Sequence, residues 1–380
     1  MPKKGTGNTM HILERSKFDE LLQALANQGY ETVGPFRRGN AIEYGPISAA
    51  ADLPIGWEDE QAPGSFNLRK AQHEQLFAFT VGPHSWKKYL FPPHTTLLEA
   101  ERKNGDLRLN VPQKNAPKYA FVGVRACELS AIRIQDQVFL DNHHPDPTYA
   151  QRRNNALIVA VNCGRAASTC FCDSMGAGPA VPAGYDLALT EVAGKDRHYF
   201  TIESGTKKGK KVLDALNLPE ASGEEQSQAA AVPERARKQM GRSLDTEGLR
   251  ELLAANPESP RWESIAKRCL GCANCTMACP TCFCSTVYDT SSVDGQTAER
   301  TRVWDSCFTN EFSYIHGGSV RKSGTGRYRQ WMTHKLSSWH DQFGTSGCVG
   351  CGRCITWCPV GIDITEEARR MRETHAKKVK

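Results

Sequence analysis

With 380 residues at 39% apolar and 8% aromatic composition, the chain can bury cores in two domains; its longest apolar runs, Tyr119–Val124 and Ala156–Val161, are far too short to span a membrane. A formal charge of +6, with no Lys/Arg stripe interleaved with aromatics, argues against a nucleic-acid partner. The basic start Met1–Gly7 has no apolar stretch behind it, so a secretory signal is excluded and the chain is expected in the cytoplasm, where its 15 cysteines stay reduced or ligate metal.

Phe18, Leu21, Leu22 and Leu25 recur as one face of a helix ending near Asn27, with Gly29 beyond it. From Tyr30 to Pro117, short apolar stretches alternate with Gly, Pro and Asn, a β-rich pattern with loops. Tyr119–Val124 is a buried strand leading into a helix over Leu129–Leu140, with Cys127 at the junction; Ala156–Val161 is a second buried strand, ending just before Cys163. Residues 1–218 thus form an N-terminal α/β domain with thiols at strand ends. Residues 219–243, rich in Glu, Gln, Ser and Ala, mark a linker or exposed helix. Residues 244–380 follow as a second domain, with helices expected over Leu244–Ala255, Trp262–Arg268 and Thr365–Lys377. The fold class is α+β. The basic clusters Lys207–Lys211 and Lys377–Lys380 read as a solvated loop and a frayed tail. Thr169-Cys170-Phe171-Cys172 recurs as Thr281-Cys282-Phe283-Cys284, a local echo too short to establish a duplication.

The chemistry is concentrated in two runs, Cys269-x-x-Cys272-x-x-Cys275-x-x-x-Cys279-Pro280 and Cys348-x-x-Cys351-x-x-Cys354-x-x-x-Cys358-Pro359. Each is the bacterial ferredoxin pattern: three thiolates on a tight loop bind three corners of one [4Fe–4S] cube, and the fourth cysteine, before proline, ligates the other cube. Gly271, Gly350 and Gly352 ease the turns. Cluster 1 is therefore assigned to Cys269, Cys272, Cys275 and Cys358, and cluster 2 to Cys348, Cys351, Cys354 and Cys279. Structural zinc also uses C-x-x-C pairs, but its four tetrahedral ligands leave no use for a third thiol two residues on. The long spacer between the runs, framed by helices, favours an α-helical ferredoxin-like domain.

Cys127, Cys163, Cys170 and Cys172 are a candidate set for a third cube, ordinary buried thiols being the alternative. Cys282, Cys284 and Cys307 are unassigned: with Cys279 they could build an alternative cube, as three they could hold a further cluster with a non-cysteine ligand, or they are buried thiols beside the clusters. Trp304, Phe308 and Phe312 surround Cys307 as a dry wall or as plain aromatic packing. Gly176-Ala177-Gly178 is too short for a dinucleotide fingerprint. The 11 histidines are scattered, His143-His144 in a loop, and no residue is assigned a catalytic role.

Several stretches resemble the iron–sulfur beta subunit of cytoplasmic NAD(P)-linked [NiFe] hydrogenases of the sulfhydrogenase type, and the related iron–sulfur subunit of anaerobic sulfite reductase. They are Ser85–Pro93, Val122-Gly123-Val124-Arg125-Ala126-Cys127-Glu128-Leu129, Cys170–Gly176, Cys279-Pro280-Thr281-Cys282-Phe283-Cys284, Trp304–Cys307 and Cys348–Cys354. The family usually carries proline where this chain has Ala126. The resemblance implies a non-catalytic electron-transfer subunit. A flavoprotein subunit would exchange electrons with NAD(P)H, this chain would relay them, and a further subunit would perform hydrogen, sulfur or sulfite chemistry. Two readings of another class compete: an autonomous enzyme using an open cluster or a Cys170/Cys172 dithiol, and a redox sensor whose clusters gate partner binding.

Overall fold

The computed structural model describes residues 9–112, 116–141 and 143–379, with nothing to be said of the side chains beyond 377; Met1–Gly7 and Lys380 lie outside the described residues. A seven-stranded mixed sheet organises the N-terminal part. Across it run His11–Glu14, His198–Ser204, Leu187–Ala193, Leu157–Val161, Tyr119–Arg125, Glu31–Arg38 and Ala41–Pro46. The three inner junctions are parallel and the outer ones antiparallel. The two central strands are apolar at nearly every position because both of their faces are covered.

Alternate residues along these strands feed two cores. Ala120, Val122, Leu157 and Val159 face the helix Phe18–Asn27, whose Phe18, Leu21, Leu22 and Leu25 are buried as the spacing requires. Phe121, Ile158 and Ala160 face the helix Ala126–Phe139. Gly123, at φ +92°, sits in a bulge that restores Val124 to the same side as Phe121. Full burial of a leucine such as Leu21 contributes about 1.5–3 kcal/mol.

The stretch 219–243 is mostly helical. Ser222 caps a helix over Gly223–Lys238 through a capping box with Glu225, and Ala229, Val232 and Ala236 are buried against the strand Leu187–Ala193. Its small apolar residues made that inner face hard to distinguish from a polar linker. The basic run Lys207–Lys211 likewise opens a helix, Lys207–Leu216, capped by Thr206, instead of a loop. The expected helix Leu244–Ala255 begins only at Leu249, because Gly248 is left-handed at φ +59°.

The C-terminal part packs Leu249–Ala255, Pro260–Ala266, Gly324–Thr333 and Ile364–Val379 around Trp262, Trp331, Met332 and Met371, while Trp339–Phe343 packs into the core that holds Phe121 and Phe139. Between the ferredoxin runs, where helices frame the spacer, the chain also forms a hairpin of Ser285–Ser291 and Thr297–Trp304. Thr297–Trp304 pairs with His94–Lys103, which in turn pairs with Asp106–Asn110, so this four-stranded sheet draws on both parts of the chain.

Because of that shared sheet, a fragment spanning 244–380 is expected to be protease-sensitive and aggregated on its own. Co-expression with 1–243 should rescue it, as read by limited proteolysis and gel filtration.

Candidate functional site: converging thiol sets

The two ferredoxin runs fold along the same path. Gly271 and Gly350 take φ near +65° and +66°, and Ala273 and Gly352 take +66° and +76°. Each path turns an amide back onto its first sulfur, Gly271 N–H to Cys269 Sγ at 3.4 Å and Gly350 N–H to Cys348 Sγ at 3.5 Å. Each then enters one helical turn, Asn274–Met277 or Arg353–Thr356.

Cys269, Cys272, Cys275 and Cys358 line one cavity, closed by Phe308, Tyr328 and Trp331 and touched also by Cys354. The charge of Cys279 acts on Cys348 and Cys354 of the second run and also on Cys275 of the first. Burial pushes Cys275 and Cys354 well above the usual thiol range and Cys348 up to about 12. Such thiols give up their protons only to a strongly charge-compensating partner, which is what iron supplies. Among the described residues no group of three or more His, Cys, Asp or Glu is tight enough to hold a single metal ion.

Cys127, Cys163, Cys170 and Cys172 line a second cavity together with Cys351, Arg125 and Arg165. Cys127 is delivered by the first turn of Ala126–Phe139 and Cys163 by the end of Leu157–Val161. Burial raises Cys127 and Cys163 and pushes Cys170 up to about 12. Cys351 thus belongs to the second thiol set while forming a wall of the third. Four thiols, those of Cys127 and Cys172 buried and those of Cys163 and Cys170 partly so, beside two guanidinium groups are a donor set that fits one more cube.

The segment carrying Cys170 and Cys172 is docked onto the second run. Phe171 N–H donates to Gly350 O at 2.8 Å, and Thr169 and Thr356 share a hydroxyl hydrogen bond at 2.9 Å. A Cβ at Gly352 would stand 2.4 Å from Thr169 O, whereas one at Gly271 would meet nothing within 4 Å. The other echo piece touches the same run from its opposite end, Thr281 Oγ1 donating to Gly347 O at 2.7 Å.

Arg353, between Cys351 and Cys354, is fully buried and crosses to the N-terminal part. Its Nε donates to Gly82 O at 2.9 Å, and its Nη2 to His84 O at 2.9 Å and to Glu128 Oε1 at 2.5 Å. The other Glu128 oxygen accepts from Tyr44 Oη at 2.8 Å and Trp86 Nε1 at 3.1 Å. Burial alone would loosen the Arg353 proton, but Glu128 and then Cys351 outweigh it and hold the guanidinium above its ordinary range. Its Nη1 has no hydrogen-bond partner. Sequence reasoning gave no role to Arg353, Glu128, Lys87 or Lys335, although the first three stand inside the quoted motifs.

Cys282 lies beside Cys279, and Cys307 lies beside Cys284 and toward Cys275 of the first set. Lys335, buried, donates to Thr281 Oγ1 at 2.9 Å and Gly347 O at 3.1 Å. Burial alone would lower its amine, but Cys279 and Cys282 outweigh that and raise it. Lys87, also buried, donates to Cys282 O at 3.1 Å and lies 3.9 Å above the Trp304 ring; burial pulls it below its ordinary range. Cys307 beside it lowers the Cys284 thiol below its ordinary range, and Cys282 lowers Cys279. Phe308 walls the first cavity and Trp304 covers Lys87, while Phe312 lines neither thiol cavity. His143 and His144 are exposed.

The family model of the 4Fe-4S dicluster domain matches residues 268–362. Sulfhydrogenase 2 subunit beta of Pyrococcus furiosus is 34% identical over 259 residues, which cover 67% of this chain and 75% of that protein. No solved structure matches the chain at a significant level. Among the described residues, no helix is long and apolar enough to cross a membrane.

Gly352→Ala is expected to cost about 3 kcal/mol or more, from the clash with Thr169 added to backbone strain, against about 1 kcal/mol for Gly271→Ala. Thermal unfolding of anaerobically purified protein measures both. Arg353→Gln, which leaves Glu128 buried without its cation, is expected to cost about 3–5 kcal/mol in the same assay.

Proposed function

The chain belongs to the iron–sulfur beta subunits of sulfhydrogenase-type hydrogenases, and on that premise we propose that it relays electrons between an NAD(P)H-oxidising flavoprotein and a catalytic subunit of the [NiFe] hydrogenase kind. The carrying observation is the contiguity of the thiol sets. Cys354 touches the first cavity while belonging to the second group, and Cys351 belongs to the second group while lining the third. A path of three adjoining sites is what a relay requires.

Cys269, Cys272, Cys275 and Cys358 would hold cluster 1, and Cys348, Cys351, Cys354 and Cys279 cluster 2. Cys127, Cys163, Cys170 and Cys172 would hold a third. Bound there, the cubes supply one-electron transfer at potentials set by charge, hydrogen bonds and exposure. The chain's own residues set those terms. Phe308, Tyr328 and Trp331 exclude water from the first site, and the Gly271 and Gly350 amides offer hydrogen bonds to sulfur. Arg353, with Nη1 unengaged, faces the second and third thiol sets with a fixed positive charge. Cys272 is exposed, so the first site is the one nearest to a partner's surface.

Anaerobically purified full-length protein should carry about twelve irons, falling to about eight in Cys172→Ser, at four per cube. Eight in both would refute the third site. The isolated chain should show no NAD(P)H-linked dye reduction until the flavoprotein is added; activity of the chain alone would favour the autonomous-enzyme reading over the relay.

A further inference from the structure

Where the ends of the two ferredoxin runs meet, the chain has buried a lysine. Lys335 lies in the π-helical turn His334–Ser338, between the helices Gly324–Thr333 and Trp339–Phe343, and is only 3% exposed. Its backbone carbonyl accepts the Gly347 amide at 2.8 Å and the Ser346 hydroxyl at 3.2 Å. Its ammonium donates to Gly347 O at 3.1 Å and to Thr281 Oγ1 at 2.9 Å, with the Trp339 ring centroid 5.4 Å away. Lys335 thus grips the residue before Cys348 from both sides and reaches the segment just past Cys279. No carboxylate pairs with it among the described residues.

Thr281, fully buried, connects this cation to a sulfur. Its hydroxyl oxygen lies 2.7 Å from Gly347 O and 3.1 Å from Cys279 Sγ. Because Lys335 donates into that oxygen, the single hydroxyl proton must point away from it, to the carbonyl or to the sulfur. An iron-bound thiolate carries no proton and can only accept. Gly347 O keeps the ammonium as a donor in that state, which frees the hydroxyl proton for Cys279 Sγ. Ammonium, hydroxyl and sulfur then form a chain in which each hydrogen bond polarises the next. A buried ammonium with no carboxylate is costly unless negative charge gathers beside it, and a reduced cluster carries one negative charge more than an oxidised one.

We propose that Lys335, acting through the Thr281 hydroxyl on Cys279 Sγ, raises the potential of the second iron–sulfur site; this rests on the relay reading above. Lys335 is a positioning residue, aiming one hydrogen bond and one fixed charge at a ligand sulfur without touching iron. When the site takes up one electron, the ammonium stabilises the reduced state more than the oxidised one. No covalent bond forms or breaks, and no proton leaves the ammonium.

The test is a mediated redox titration of full-length, anaerobically purified protein, followed by electron paramagnetic resonance, with iron and sulfide measured on the same samples. Lys335→Met fills the site without charge and leaves Gly347 O its hydrogen bond from Thr281, so the variant should keep its iron. One centre should then be about tenfold less reduced at a fixed potential, a downward shift of about 59 mV for a one-electron couple. Thr281→Val should lower the same centre by a smaller amount, and Thr281→Ser, which keeps the hydroxyl, should restore the wild-type midpoint. Unchanged midpoints in an iron-replete Lys335→Met would overturn the proposal, and so would a loss of about four irons in Thr281→Val, which would make the hydroxyl a structural clamp. If Lys335→Met does not fold, the two threonine variants decide alone, and equal midpoints in them overturn the proposal. Wild-type protein free of iron would instead refute the relay reading itself.

Discussion

The ion pair of Arg353 and Glu128 is the constraint on which the remaining architecture leans. A guanidinium and a carboxylate, both taken out of water, are tolerable only when every strong hydrogen-bonding direction is nearly filled. Here Gly82, His84, Tyr44 and Trp86 fill most of them. Those partners all come from the N-terminal part, while Arg353 sits inside a cysteine loop of the C-terminal part. A pair of this kind tolerates little sliding, so the second thiol set has one position relative to Cys127, and electron tunnelling, which falls steeply with distance, inherits that fixed geometry.

Charge follows the same logic around the other sulfurs. Lys87 and Lys335 are buried next to cysteines and have no carboxylate partner among the described residues. Isolated ammonium groups in an apolar interior are costly, and they become favourable only where negative charge is gathered. Thiolates bound to iron gather it. The apolar walls, Phe308, Tyr328 and Trp331 around one cavity and Phe283 against Trp339 near the next, keep the local dielectric low, so each fixed charge acts strongly on whatever the sulfurs hold.

Much of this was legible in the residues. The unbroken apolar runs of Tyr119–Val124 and Ala156–Val161, the amphipathic face of Phe18–Leu25 and the two ferredoxin runs are local signals, written within one element each. The expected crossing of Cys279 and Cys358 between the runs rests on the position of proline in a known pattern. What escaped was non-local or compositionally masked. The hairpin Ser285–Trp304 is mostly exposed and finds its partner, His94–Lys103, roughly two hundred residues earlier in the chain. The helix Gly223–Lys238 buries only small side chains, which carry a weak periodic signal. Arg353 and Lys335 are charged residues in the interior, and no pattern of alternation announces a cation that will be buried against sulfur.

The strand exchange between His94–Lys103 and Thr297–Trp304 also has a temporal side. During synthesis the first of these strands leaves the ribosome roughly two hundred residues ahead of its partner, a wait of about 10–40 s at ordinary elongation rates. For that interval one strand edge stays unpaired, beside Leu107 and Leu109, which are exposed in the folded chain as well. Maturation of the nascent polypeptide thus favours a chaperone-like guard on the first half and metal loading late, after the last loop has emerged. It also means that the two halves could not have been shuffled as independent genetic modules without first losing their common sheet.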